Sequence, residues 1–402
     1  MQEFRLDLQG LLVKKFEGRF VLFTTDGNFE LGPFATAGQC VTRARPWEPR
    51  LDTWWLEEDG TARRSRLTGW YEVDWQGESF EVVMASLLDA SGCSNDFAWV
   101  VAATKERATA FFLAVCGWSS AAHGEVLVYE GGFSKSRQLY EAIRAASFDE
   151  LVLGGALKES LRADLRRFLS SRELYARLKV PWKRGVLFTG PPGNGKTHAV
   201  RALVKESELP CVYVKSLRGG RGDPEEHIAD IFRRARQTAP CVMVLEDLDC
   251  LIDESSRSML LNELDGFAAN EGLVIIATTN HPEKLDRSLL DRPSRFDRKF
   301  HFGLPGRAER LVYLERWAAS LEPSLRPSEE TVAALAEETH GFTFAYLKEL
   351  TLGAMMSFME SPVDGAMNAI APRVLEALRA DVTSVEKTIG KLPVERPISM
   401  RS

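Results

Sequence analysis

The sequence predicts an α/β protein: a parallel sheet flanked by helices, followed by a helical lid and preceded by a mixed α+β domain. From about Leu151, short apolar runs alternate with helical stretches, which is typical of a parallel sheet covered on both faces. The glycine-rich segment GPPGNGKT joins one of these runs to a helix. From Arg307 to about Leu378 the pattern is wholly helical.

Length and composition are those of an ordinary globular protein. The chain has 402 residues, of which 45% are hydrophobic and 27% charged, and at about 150 residues per domain we expect two domains. The N-terminus, MQEFRLDLQG, has no basic stretch followed by an apolar one, and no uncharged apolar run reaches the roughly 18 residues of a spanning helix. We therefore expect a cytoplasmic protein. The formal net charge of -6 argues against indiscriminate binding to nucleic acid.

Residues 1–148 form the predicted mixed α+β domain, with client or partner binding as its expected role. Two hairpins are predicted, from Arg19 to Leu31 with a turn at Asp26-Gly27 and from Trp70 to Met84 with a turn at Gln76-Gly77. A helix follows from Thr104 to Cys116. The domain is rich in tryptophan, and we favour core packing over a partner surface because tryptophan is heavily buried on average.

The predicted sheet with its flanking helices occupies residues 149–306, and the predicted lid occupies residues 307–385. Residues 386–402 are predicted to form a flexible tail. Four apolar runs predict the strands of the sheet: Gly185–Thr189, Cys211–Lys215, Cys241–Leu245 and Leu273–Thr278.

The strongest local signal is the GxxxxGK[ST] pattern between the first of these strands and the helix that follows it. In this setting, backbone N–H groups and the helix N-terminus converge on phosphate groups. Lys196 would reach the β- and γ-phosphates of ATP, and the Thr197 hydroxyl would bind Mg²⁺. The predicted nucleotide contacts are Pro191, Pro192, Gly193, Asn194, Gly195, Lys196, Thr197 and His198. The alternative is a glycine-rich turn without a ligand.

A second signal lies at the end of the strand Cys241–Leu245, where Glu246 and Asp247 bring two carboxylates to the sheet edge. One carboxylate should support the magnesium shell while the other polarises the attacking water, because phosphoryl transfer depends on positioning and charge neutralisation. A solvated strand end is the alternative interpretation.

These motifs resemble those of AAA ATPases. The strings GVLFTGPPGNGKT, VMVLEDLD, VIIATTN and LDRSLLDRPSRFDR stand in the order and spacing of that family, and the resemblance covers about Leu151 to Leu352. Gly154 lies in a segment like the adenine-side turn of the family. Ala345 lies in a segment like its lid motif, with Phe344 where a second glycine is usual.

Within the family, the sequence is most similar to the mitochondrial translocase of the Rieske iron-sulfur protein and its soluble bacterial relatives. Three details carry this likeness: Arg184-Gly185 at the entry to the strand that precedes the glycine-rich loop, the Glu-Asp order at 246–247, and the string TTNHPEKLD from Thr278 to Asp286.

The resemblance implies further roles. Glu246 becomes the magnesium-side carboxylate, Asp247 the water-activating one, and Asn280 the sensor of the γ-phosphate. Arg292 and Arg295 match the arginine fingers that reach the site of a neighbouring subunit, so a homo-oligomeric ring of six or seven subunits is implied. Alternatively, these arginines pair with Asp291 and Asp297 at a solvated surface.

The loop 216–224 is glycine-rich and basic, and it lacks the aromatic residue with which threading AAA rings grip unfolded chains. Remodelling or movement of a protein client is therefore the favoured function. A nucleic-acid motor using Arg218 and Arg221 is less favoured because two arginines are few and the chain is acidic. An ATP-switched assembly scaffold is a further alternative. No HExxH pattern occurs, so a fused zinc protease is not expected.

Overall fold

The computed structural model describes residues 2–45, 53–55, 62–64, 69–88, 94–120, 124–219, 223–265, 270–290, 292, 295–360, 363 and 365–389. The chain divides into two compact units, Met1–His123 and Gly124–Ser402.

The first unit contains an antiparallel sheet with the strand order β1-β7-β6-β5-β2 and a separate β3–β4 pair. Its elements are α1 (Gln2–Lys15), β1 (Phe20–Thr24), α2 (Leu31–Thr36), β2 (Val41–Ala44), β3 (Thr53–Trp55), β4 (Ala62–Arg64), β5 (Gly69–Trp75), β6 (Glu78–Leu88), β7 (Ser94–Ala102) and α3 (Lys105–Ser120).

One of the two predicted hairpins is confirmed. Strands β5 and β6 pair across a turn at Gln76-Gly77, and both turn residues have positive φ angles, 52° and 79°. The hairpin predicted at Arg19–Leu31 is wrong, because β1 pairs with β7 and the chain after it enters helix α2. The Asp26 carboxylate accepts the Asn28 amide at 2.9 Å, so the Asp-Gly pair forms a local side-chain turn that leads toward a helix.

Tryptophan packs the core of this unit, as predicted. Trp99 and Trp75 are buried, and Trp75 contacts Phe111 edge-on with ring centroids 5.4 Å apart. Trp47 lies outside the described residues.

The second unit contains a seven-stranded sheet with the order β14-β10-β13-β12-β11-β8-β9, parallel except for the β8–β9 pair. Its elements are β8 (Val126–Glu130), β9 (Phe133–Ser136), α4 (Arg137–Ala145), α5 (Leu157–Ser170), α6 (Arg172–Leu178), β10 (Arg184–Thr189), α7 (Lys196–Ser207), β11 (Cys211–Ser216), α8 (Pro224–Thr238), β12 (Cys241–Leu245), α9 (Leu248–Leu251), α10 (Glu254–Asp265), β13 (Leu273–Thr279), α11 (Arg287–Leu290), β14 (Arg298–His301), α12 (Arg307–Ser320), α13 (Glu329–Glu338), α14 (Phe344–Glu360) and α15 (Met367–Ile389), with short 3-10 turns at Pro282–Lys284 and Pro323–Leu325.

The sheet with its flanking helices and the helical lid confirm the predicted fold class, but two boundaries differ from the prediction. Strand β8 pairs in parallel with β11, so the unit that contains the sheet begins near residue 124 and not at 149. A short apolar run carries no local sign of which sheet it joins, and strand β8 was therefore assigned to the wrong domain. Helix α15 continues to Ile389, past the predicted start of the tail at 386.

Two apolar layers cover the faces of this sheet. Along β12, Val242 and Val244 face the cluster that contains residues of α7, whereas Met243 and Leu245 face the cluster that contains residues of α8. The lid has a separate core formed by α12 to α15. Of the helices in the described ranges, none combines the length and apolar character required to traverse a bilayer.

Candidate active site

The loop between β10 and α7 has a backbone conformation that favours glycine at three positions. Gly190, Gly193 and Gly195 have φ angles of 137°, 80° and 87°, a region that other L-residues seldom enter. A Cβ atom at Gly190 would lie 2.2 Å from the Phe302 carbonyl oxygen. These glycines allow the loop to turn tightly at the N-terminus of α7, where anions bind.

Lys196 begins α7 and is buried in the loop. Its Nζ donates to the carbonyl oxygens of Gly190 at 2.7 Å and Pro191 at 2.9 Å. Burial lowers the pKa of the Lys196 ammonium, and the carboxylates of Asp247, Asp249 and Glu246 act against that shift. Thr197 follows in the first turn of the helix. The ammonium is thus held within the loop by carbonyl groups that phosphate oxygens could replace.

Asp247 stands at a sharp turn after β12 and is fixed by the next strand of the sheet. Its backbone is left-handed, with φ 48° and ψ 55°, and its N–H donates to Thr278 Oγ1 at 3.0 Å. Asn280 Nδ2 donates to Asp247 Oδ1 at 2.8 Å. Aspartate tolerates the left-handed region better than most residues do, which gives a physical reason for the shorter carboxylate at this position.

Glu246 lies on the sheet face that α7 covers, since it follows Val242 and Val244 by even steps. Its Oε2 accepts a hydrogen bond from the Tyr213 hydroxyl of β11. Its Oε1 is buried and has no hydrogen-bond partner within the described part of the chain. Burial and the neighbouring Glu246 carboxylate raise the pKa of the Tyr213 hydroxyl.

Sequence reasoning missed Tyr213 and a third carboxylate, Asp249. Asp249 Oδ1 accepts a hydrogen bond from Thr279 Oγ1 at 2.6 Å, at the last residue of β13. The only local signal was the position of Asp249 two residues after Asp247. A cavity of about 340 Å³ is lined in part by Tyr213, Arg218, Glu246 and Asp247.

The backbone N–H groups of the lid motif donate hydrogen bonds to the loop. Ala345 N donates to Gly193 O at 3.0 Å, and the buried Asn194 side chain accepts from Phe344 N at 3.4 Å. The Phe344 ring lies 5.8 Å from the Tyr313 ring and packs against the lid core. The bulky residue in place of a glycine is thus accommodated by the lid itself.

Residues just before the predicted adenine-side turn lie near the loop and the start of α7, whereas Gly154 of the turn lies near α12. A Cβ atom at Gly195 would lie 3.0 Å from Leu151 Cδ2, and one at Gly154 would lie 3.3 Å from Glu309 Oε1. His198 Nε2 lies 3.1 Å from the carbonyl oxygen of Ser147. Pro192 is exposed on the loop.

The two predicted arginine fingers differ in accessibility. Arg295 has a side chain only 4% exposed, paired with Asp265 through Nη2 at 2.6 Å and Nε at 2.9 Å. Arg292 is 65% exposed and lies 3.4 Å from the same carboxylate. The alternative that these arginines pair with Asp297 is wrong, because Asp297 pairs with Arg184 at 2.6 Å. The other proposed partner, Asp291, lies outside the described residues.

The segment that carries these arginines is anchored to the base of β10. A Cβ atom at Gly185 would lie 1.9 Å from the Arg295 carbonyl oxygen, and Gly185 N donates to Asp297 Oδ1 at 2.8 Å. Arg184 and Gly185 therefore contact the segment that carries the two arginines and hold it in place.

Comparison with known proteins matches this site to a family. Residues 186–304 match the model of the ATPase family associated with various cellular activities (AAA). Residues 186–304 are therefore similar to an AAA ATPase domain. This range holds the loop, both carboxylates, Asn280 and both arginines, while Gly154 and Ala345 lie outside the matched residues.

Several relatives carry the name ATP-dependent zinc metalloprotease FtsH. FtsH 3 of Symbiobacterium thermophilum is 32% identical over 56% of this chain and 37% of its own length. FtsH 2 of the same organism is 31% identical over 73% of this chain and 48% of its own, and FtsH of Acaryochloris marina is 29% identical over 65% and 42%. The chain thus spans less than half of the length of these relatives.

AAA ATPases use ATP with Mg²⁺, and the residues here fit that ion. Magnesium takes hard oxygen ligands and is usually held by one or two protein groups together with phosphates and water. Thr197 offers a hydroxyl, and Glu246 Oε1 is a buried acceptor without a hydrogen-bond partner among the described residues. Nowhere in the described ranges do three or more His, Cys, Asp or Glu side chains gather as a metal site.

Proposed function

We propose that this chain is an ATP hydrolase that works with Mg²⁺ as a homo-oligomeric ring and uses ATP to remodel or move a protein client. The observation that carries the proposal is the arrangement at one edge of the sheet. Lys196 and Thr197 follow β10, Glu246 and Asp247 follow β12, and Asn280 follows β13. Ligands of open α/β sheets bind outside the carboxyl ends of the strands.

Each side chain has a distinct part in the proposed hydrolysis of ATP. Lys196 binds the β- and γ-phosphate oxygens in place of its two carbonyl partners. Asp247 accepts the hydrogen bond of the attacking water, with its carboxylate oriented by Asn280. Magnesium, when bound by Thr197 and Glu246, neutralises charge on the phosphates. Of the two carboxylates, the longer one serves the metal side.

A ring is proposed because Arg292 and Arg295 match the arginine fingers with which AAA ATPases reach the site of a neighbouring subunit. Arg292 is the arginine of the anchored segment that is exposed to solvent, so it is the better candidate for reaching the γ-phosphate of a neighbouring subunit. Arg295 stays a predicted second finger. To reach a neighbouring subunit, it would have to break its ion pair with Asp265. Six or seven subunits are the expected ring sizes.

A protein client is favoured by the relatives, whose names describe proteases. The loop after β11 supports movement of a folded client over threading, because its described residues from Ser216 to Gly219 include no aromatic side chain. The likeness to the Rieske-protein translocase branch agrees with this. Arg221 lies outside the described residues. A cytoplasmic location stays a prediction.

ATP turnover tests the enzymatic part of the proposal. The rate per subunit should rise with protein concentration, should require Mg²⁺, and should be lost in Lys196→Ala. A monomer with full activity would contradict the ring.

The client class needs a second experiment. Asp247→Asn protein locked with ATP is used to capture partners, and each purified partner is then added to the wild-type enzyme. A protein that raises steady turnover supports remodelling. Binding without stimulation would indicate an ATP-switched scaffold, and salt-sensitive stimulation by DNA or RNA would indicate a nucleic-acid motor.

A further inference from the structure

Tyr213 and Glu246 form a pair that joins two neighbouring strands beside the phosphate-binding loop. Tyr213 of β11 is in register with Val244 of β12, and Glu246 follows two residues later on the same face of the sheet. The Tyr213 ring is buried in the apolar layer beneath α7. Its hydroxyl donates to Glu246 Oε2.

Because of this hydrogen bond, the two oxygens of the Glu246 carboxylate have different surroundings. Oε2 is occupied by the tyrosine, whereas Oε1 is buried without a hydrogen-bond partner in the described part of the chain. A buried polar atom left in this condition costs free energy unless a ligand or water completes it. The pair therefore presents one acceptor of fixed direction on the α7 side of the sheet.

A glutamate needs such support more than an aspartate would. Its side chain has one more rotatable bond, and fixing that bond costs conformational entropy each time a ligand binds. A hydrogen bond from a rigid, buried ring restricts the carboxylate before binding, which lowers that cost.

We propose that Tyr213 is a positioning residue that holds Glu246 so that Oε1 faces the magnesium shell of the bound nucleotide. The inference rests on the metal-side role proposed above for Glu246. In this proposal, the Tyr213 hydroxyl on the neighbouring strand fixes the position of the Glu246 carboxylate. A glutamate can then take the metal side in the Glu-Asp order although its side chain is longer than that of aspartate.

The test is nucleotide binding without turnover. A fluorescent ATP analogue is titrated against the 402-residue chain at stepped concentrations of free Mg²⁺ and again in EDTA. Tyr213→Phe removes the hydroxyl alone. We expect the Mg²⁺ concentration for half-maximal binding to rise about 10-fold, the effect of losing one hydrogen bond to a charged group. Affinity in EDTA should equal that of the wild type.

Two further variants separate the possible failures. Tyr175→Phe is the matched control, because that ring packs on Phe168 away from the site, and its Mg²⁺ dependence should be that of the wild type. In a Glu246→Gln background, Tyr213→Phe should add nothing, because its effect passes through that carboxylate.

If Glu246→Gln alters the Mg²⁺ dependence while Tyr213→Phe does not, the inference is overturned and the proposed function stands. A full additional effect of Tyr213→Phe in the Glu246→Gln background also overturns it. If Glu246→Gln itself binds with wild-type Mg²⁺ dependence, the metal-side role fails and the inference fails with it.

Discussion

Asn280 donates its side-chain amide to the Asp247 carboxylate at 2.8 Å, linking the ends of two adjacent strands. Because this bond sets the direction of the proposed water-activating group, Asn280→Ala should lower kcat about 100-fold, the usual scale for a misdirected acid–base group. Binding of ATP should change little. Steady-state turnover and nucleotide titration on the same preparation measure the two effects.

The first unit offers a matched control for that change. Asn28 Nδ2 donates to Asp26 at 2.9 Å in an exposed turn, so Asn28→Ala removes an equivalent pair from the other unit of the chain. An Asn280→Ala protein that is no slower than Asn28→Ala would contradict the role given to the sensor.

Asp247→Asn should retain the left-handed turn, because asparagine tolerates that conformation as well as aspartate does. We therefore expect a folded protein that binds ATP and holds it unhydrolysed. Retention of intact ATP after gel filtration measures this. Normal turnover by Asp247→Asn would refute the assignment of the catalytic carboxylate.

Mixed assemblies test whether sites are shared between subunits. Arg292→Ala and Asp247→Asn should each be inactive when alone. When they are mixed, an Arg292→Ala subunit has an intact Asp247 and can receive Arg292 from its neighbour, so turnover should partly return. Mixtures as inactive as the separate variants would rule out a finger supplied in trans.

Arg295 is expected to contribute to stability as well. Removing a buried charge from its partner costs about 3–5 kcal/mol, and we expect the lower end for Arg295→Ala because Asp265 is 33% exposed. Arg307→Ala serves as the control, since its pair with Glu337 is exposed on both sides and worth at most about 1 kcal/mol. Urea unfolding of both variants compares them.

Gly185→Ala should separate nucleotide binding from hydrolysis. A Cβ atom there would overlap the Arg295 carbonyl, and relieving this overpacking costs about 1–3 kcal/mol while displacing the segment that carries Arg292. We expect ATP binding to persist and turnover to fall. In Gly117→Ala of α3, the new Cβ meets nothing within 4 Å, and activity should be unchanged.

The sequence predicted those parts of the site that depend on local spacing. The loop from Gly190 to Thr197 carries its whole chemistry in eight consecutive residues, and the carboxylates directly follow an apolar strand. Tyr213 and Asp265 could not be found this way. Each comes from another strand or helix, and each is recognisable only through the residue it contacts, Glu246 or Arg295.

The fold likewise has parts that the local sequence predicts and parts that depend on distant segments. Strands β10 to β13 were predictable because each is a buried apolar run between helices. Strand β8 has the same appearance, but its parallel pairing with β11 is a relation between segments about 85 residues apart, which periodicity does not encode.

The seven-stranded sheet has charged residues at both of its open ends. Strand β14 carries Arg298 and Lys299, and strand β9 carries Lys135. Charged side chains on edge strands, lysine especially, oppose pairing with a strand of another molecule. Copies of this chain are therefore expected to associate through side-chain surfaces such as the one bearing Arg292, and a contact of that kind can open and close during a catalytic cycle more readily than a continuous ladder of backbone hydrogen bonds could.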